Sequence, residues 1–158
     1  MASRKPLVLD GSGNIQQLQS GDTLNAPVSE NNVISKTAAA TLIAGNAVYA
    51  SSATEVNKAR ANASGTINVV GFATAAISSS ASGSIQTSGV LVLTTGEWDA
   101  LAGTTGGLTA NTRYFLSAAT AGLITSTAPS TTGQYVRPLL LGLSTTEALI
   151  VDAEAILL

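Results

Sequence analysis

The sequence predicts an all-β protein, a β-sandwich or β-barrel of short strands with one helical turn near Trp98 and an N-terminal hairpin arm. Two observations carry the strand assignment. Short runs rich in Val, Ile, Thr and Tyr recur along the chain, and turn residues separate them at close intervals. The third observation carries the helix: Thr94 stands three residues before Glu97, the spacing of a capping box.

Taken in order, Met1–Lys5 is polar and reads as an extended arm. Leu7–Leu9 and Ile15–Leu18 flank Asp10-Gly-Ser-Gly-Asn14, a strong hairpin signal. Asn25–Asn32, with Pro27, reads as a linker. The division is therefore 1–26, an arm with a hairpin, and 27–158, the main domain. Ile34–Leu42 is ambiguous, since Ala38-Ala-Ala40 suits a helix, but Thr37, Thr41 and the following Ala-Gly-Asn favour a strand and turn. Ala47–Ala50, Glu55–Ala61 and Val69–Thr74 are strands. Ser78–Gly83 is a Ser/Ala loop without a large anchoring side chain, and Ser84–Thr87 is a short strand.

Val90–Leu93 leads into the helical turn, Glu97–Leu101, which Gly103, Gly106 and Gly107 end. Thr112–Ser117 and Leu123–Thr127 are strands around a small-residue turn at Ala118–Gly122. Pro129–Gly133 is a loop. Gln134–Leu143 is one longer strand, and Ala148–Val151 pairs back onto it after a turn at Ser144–Thr146. A weak internal echo is also present. Asn46-Ala-Val-Tyr49 followed by Val70-Gly-Phe-Ala73 parallels Asn111-Thr-Arg-Tyr114 followed by Leu141-Gly-Leu-Ser144.

Only 10% of residues are charged, and Ser and Thr make up about a quarter of the 158 residues. Low charge with positive mean hydropathy is the opposite of the balance that keeps chains disordered. It implies strands that are extensively covered, or a surface buried in an assembly. Thin side chains let sheets or subunits approach closely. They also reduce the apolar area a lone chain can bury, so self-association is a natural remedy. The net charge of −2 and the scattered basic residues leave no nucleic-acid footprint. No apolar run reaches the roughly 18 residues of a membrane helix. The start lacks the long apolar stretch of a signal peptide, so synthesis in a host cytoplasm is the expectation.

The residues needed for chemistry are mostly missing. The chain has no histidine and no cysteine, which removes the commonest general base, the common nucleophile–base pairs and nearly all zinc sites. Glu97 and Asp99, two apart on the helical turn, are the closest candidates for a catalytic pair of carboxylates, but residues two apart on a helix do not face each other, and Glu97 already has a capping role. Asp10–Asn14 lacks the further carboxylates of a calcium loop. Gly103–Gly107 is not followed by the Gly-Lys-Ser/Thr of a phosphate loop. Trp98, beside Leu101 and a VLVL strand, reads as a core anchor and not as a ligand platform. No catalytic, cofactor or metal residues are assigned.

Several words of the sequence resemble a domain found in tailed-bacteriophage virion proteins, in capsid decoration (cement) proteins and head-fibre-type appendages. They are GEWDA at Gly96–Ala100, LTANTRYFLS at Leu108–Ser117 and APSTTGQYV at Ala128–Val136, with KPLVLDGSGNIQQLQSGD at Lys5–Asp22 similar to a segment of phage structural proteins. The resemblance implies a non-enzymatic protein that binds the outside of a phage head and stabilises it. Its partner would be the major capsid protein and its place the virion surface. A fibre or tail appendage that touches a host receptor is the alternative. Low charge, small-residue strands and the resemblance together lead to the expectation of a homotrimer. Candidate capsid or subunit contacts are Arg4, Lys5, Leu7 and Leu9 in the arm, and Ile156, Leu157 and Leu158. That apolar tripeptide is expected to be buried, against the sheet or at a subunit axis.

Overall fold

The computed structural model describes residues 31–151 and 153–158, together with the backbone of two short strands nearer the start. Strands β1 (Leu7–Leu9) and β2 (Ile15–Gln17) pair antiparallel, with Leu7 opposite Gln17 and Leu9 opposite Ile15. The hairpin expected around residues 10–14 is thus present as a strand pair. Its turn, Arg4, Lys5 and the boundary at Pro27 lie outside the described residues.

Five strands of the first half close a barrel. They are β3 (Val33–Ala38), β4 (Ala47–Ala50), β5 (Glu55–Lys58), β6 (Val69–Ala73) and β7 (Ser82–Gln86), in the order β3-β5-β4-β6-β7. Only β3 and β5 run parallel. Closure removes free sheet edges, which suits strands of four to six residues with few charges to protect them. The interior is narrow and is filled by Ala38, Leu42, Val48, Val56, Ala73, Ile77 and Ile85. Gly71 is required here, because a Cβ at that position would run into the main-chain carbonyl of Gln86.

The strand reading of Ile34–Leu42 holds for its first part. β3 ends at Ala38, and Leu42 instead makes an isolated bridge with Ile77, each N–H donating to the other's carbonyl at 2.8 and 3.0 Å. The Ser/Ala stretch after Ile77 is held by the Ser79 hydroxyl donating to the Ala39 carbonyl, and the following strand starts at Ser82, earlier than expected.

The second half forms a five-stranded sheet in the order β10-β9-β12-β13-β8, all antiparallel. Its strands are β8 (Val90–Val92), β9 (Arg113–Leu116), β10 (Ile124–Thr125), β12 (Pro138–Gly142) and β13 (Glu147–Ile150). The expected long strand over Gln134–Leu143 is broken at Arg137. β11 (Tyr135–Val136) leaves the sheet to pair with β14 (Ile156–Leu157). Two causes meet at the break. Pro138 has no N–H to offer a ladder, and the register with β9 shifts between Pro138 and Leu140. Arg137 itself turns inward and donates from Nη1 to the Ile67 carbonyl at 2.7 Å.

Helix α1 (Thr95–Ala102) is one residue pair longer at its start than expected and one longer at its end. Its cap is the one read from the sequence. The Thr94 hydroxyl accepts from Glu97 N at 3.3 Å, and Glu97 Oε2 accepts from Thr94 N at 2.8 Å. Gly103, at φ 66°, ends the helix in the left-handed conformation.

The two halves share one core, so the main domain is not a simple two-sheet sandwich. Ala47, Ala59, Ile67 and Phe72 from the barrel side pack with Leu91, Trp98, Leu101, Tyr114, Leu116 and Leu140 from the sheet side. Main-chain bonds stitch the seam: Ala47 N to Gly122 O at 3.0 Å, Gly122 N to Ala59 O at 2.7 Å, and Ala61 N to Ser117 O at 3.0 Å. Asn46 is buried in this seam with its amide satisfied, accepting from Ile43 N and donating to Gly122 O. The internal echo has a structural counterpart. In each half the strand after the Asn pairs antiparallel with the strand bearing the Gly, and in each the register shifts once.

Candidate docking surfaces

The described residues hold no group of three or more metal-capable side chains. The candidate carboxylates Glu97 and Asp99 are both engaged in structural hydrogen bonds. Hydrogen bonds from the Thr94 N–H and hydroxyl hold Glu97 below the usual carboxylate range. The Asp99 carboxylate accepts from the Gly107 N–H at 2.8 Å, the Gly106 N–H at 3.0 Å and the Thr104 hydroxyl at 3.0 Å, and the two N–H bonds lower its pKa. Asp99 therefore ties the helix to the glycine turn that follows it. This role follows from the glycines whose freed N–H groups need an acceptor.

Trp98 is fully buried and donates from Nε1 to a carbonyl, as expected of a core anchor. A cleft of ≈ 220 Å³ lies between the barrel and the sheet, lined by Gly71, Phe72, Leu139 and Arg137 among others. It is smaller than the usual small-molecule site. The Arg137 guanidinium beside it is engaged by the Ile67 and Val69 carbonyls.

Besides Val33, Ile34 and Ile43 on the barrel side, the described residues expose apolar side chains in two places. The first is the end of the chain. Ile156, Leu157 and Leu158 are 63%, 59% and 42% exposed. Burial of this tripeptide against the sheet, one of the two options expected, is therefore overturned for the single chain. The reason is local. β14 is paired through its backbone, with Leu157 opposite Tyr135, Ile156 opposite Val136, and Leu158 N donating to Gln134 O at 3.0 Å. β11 and β14 form a two-stranded sheet of their own, and the β14 side chains are left exposed on it.

The second place is the outer face of the five-stranded sheet. Successive side chains point to opposite faces of a strand. Leu91, Ala148, Gly142, Leu140 and Tyr114 turn inward and are buried. Their neighbours turn outward. In one row Arg113 stands beside Leu141, Leu149 and Val90. In the next, Glu147 stands opposite Val92, with Leu143 bonded to it through Leu143 N to Glu147 O at 2.8 Å. Val92 is 60% exposed, and Leu143 and Leu149 are also exposed. Sequence reading misses this face because both strands are apolar throughout. In Val90-Leu91-Val92-Leu93 and Leu139-Leu140-Leu141 no alternation marks which side is out. The isolated charges Arg113 and Glu147, one residue from buried positions, are the only signal.

Of the expected contact residues, Arg4 and Lys5 lie outside the described residues. Leu7 and Leu9 are placed in β1, and Ile156–Leu158 form an exposed apolar edge. Compared with protein-family models, with curated proteins and with solved structures, the chain matches none.

Proposed function

We propose that this chain is a capsid decoration (cement) protein of a tailed bacteriophage, and that it works by contact and not by catalysis. One observation supports the reading most. The chain folds around a satisfied core, yet leaves a terminal strand with three consecutive exposed apolar residues. Such a strand invites association unless a partner covers it. The words that resemble phage virion proteins also fall on structural joints. GEWDA supplies the capped helix and its tryptophan, and LTANTRYFLS supplies β9.

In this reading the protein, as a homotrimer, sits where major capsid subunits meet on the outside of the head. It adds buried area across boundaries that would part under internal pressure. A ligand that binds only the assembled lattice stabilises it by mass action. The arm with Arg4, Lys5, Leu7 and Leu9 reaches to neighbours, and Ile156–Leu158 are covered on assembly. The test is to add purified protein to undecorated capsids. Saturable binding of hundreds of copies, with a higher disruption temperature, is expected. Binding of only a handful of copies would instead favour a fibre or tail appendage.

A further inference from the structure

The outer face of the five-stranded sheet is built so that it can meet itself. Leu141 on β12, Leu149 on β13 and Leu143, just past the end of β12 and beside Glu147, lie close together on it. A single cation and a single anion flank them. Arg113 lies on β9, one strand beyond Leu141, and Glu147 lies on β13, two residues before Leu149. Neither charged side chain has a hydrogen-bond or ion-pair partner among the described residues. With strands about 4.8 Å apart and a rise of about 3.4 Å per residue, the two charges stand about 12 Å apart on the face.

We infer that this face binds the same face of a second copy about a two-fold axis. The axis lies in the plane of the contact and is the perpendicular bisector of the line from Arg113 to Glu147. That operation sets each Arg113 over the partner's Glu147, and each Glu147 over the partner's Arg113. It also gathers the three leucines of both copies around the axis. One contact thus makes two ion pairs and covers the apolar centre, which is the self-complementarity a two-fold interface needs. The strands of the two sheets cross at roughly 70°, nearer the orthogonal than the aligned class of sheet packing.

The face measures roughly 24 by 13 Å from the same strand spacings, about 300 Å². Stable interfaces bury about 800 Å² per partner. The contact is therefore weak between free chains and takes effect where copies are held close together, since tethering raises the effective concentration. It does not depend on the virion reading. On a lattice it would join neighbouring copies, and if the copies are trimers it would join trimers in pairs.

Sedimentation of the full chain across the micromolar to millimolar range tests the contact. The mass of the native species is expected to double as concentration rises. Arg113→Glu or Glu147→Arg alone should weaken doubling by about tenfold or more, because like charges then face each other. An equimolar mixture of the two variants should restore it, since every pair across the axis is again opposite in sign. Leu149→Ser, also at an exposed position, should weaken it without a charge change. A mass that stays constant to millimolar concentration overturns the inference. So does doubling that ignores both charge reversals, or a mixture that behaves like the single variants. Binding of the charge variants to capsids reads the virion proposal separately.

Discussion

The indole N–H of Trp98 donates to the main-chain carbonyl of Thr146 at 3.0 Å. The same carbonyl accepts from Leu93 N at 3.0 Å. One oxygen in the turn before β13 thus ties down both helix α1 and the end of β8. The Trp98 ring fills the shared core below. The bond explains why a tryptophan serves better than another large apolar residue at this point: burial is combined with a donor that fixes the ring.

Trp98→Ala should therefore cost about 3–5 kcal/mol in thermal or denaturant unfolding, the scale of large aromatic truncations in cores. Trp98→Phe should cost less, because the Thr146 carbonyl keeps its bond from Leu93. Parental melting of Trp98→Ala with loss of a partner would contradict the anchor role.

The helix cap gives a second expectation. Thr94→Ala removes the hydroxyl that caps α1 and should cost about 1 kcal/mol. Glu97 and Asp99 are both held below the ordinary carboxylate range by hydrogen bonds from N–H and hydroxyl donors. Their contribution is complete above the ordinary carboxylate range, which lies near about pH 4, and is lost as pH falls through their lowered folded values. Stability measured from neutral to strongly acidic pH should fall in that acid limb. Asp99→Asn should flatten part of the fall. An acid limb unchanged in Asp99→Asn would contradict the role given to its bonds with Gly106 and Gly107.

Gly107 sits at φ 90°, and a Cβ there would strike the Thr145 carbonyl. Gly65 has a negative φ and open space around it. Gly107→Ala should cost about 2–4 kcal/mol from strain and displacement combined. Gly65→Ala should stay within about 1 kcal/mol of the parent. Equal melting temperatures for the two variants would show that the glycine turn can yield.

Removal of Ile156–Leu158 separates folding from assembly. These side chains are exposed and the strand is held through its backbone. The shortened chain should fold with nearly parental stability in circular dichroism and melting. Its oligomer mass or its binding to capsids should fall. A large loss of stability with unchanged association would assign the tripeptide to the fold instead.

Much of this architecture was legible where residues carry directional chemistry. The Thr94–Glu97 box marks the helix, Asp10–Asn14 marks a hairpin, and the Asn and Gly of the internal echo mark two equivalent strand pairs. The sequence was least legible where the signals are uniform. Nothing in Gln134–Leu143 except Pro138 shows that the chain changes sheets at Arg137. The closed barrel depends on pairings between distant strands, such as β3 with β7, which no local pattern encodes. Exposure of Ile156–Leu158 was equally hidden, since an apolar tripeptide looks the same whether the chain itself covers it or a partner does.

The proposed role is to cover an assembled phage head. Counting copies on purified capsids, after saturation with the full chain and with a chain that begins at Pro27, tests it most directly. The full chain should saturate at hundreds of copies and raise the temperature at which the head releases its DNA. The shortened chain, still folded, should bind far more weakly. No saturable binding of the full chain to undecorated heads, or binding without any gain in head stability, would contradict it.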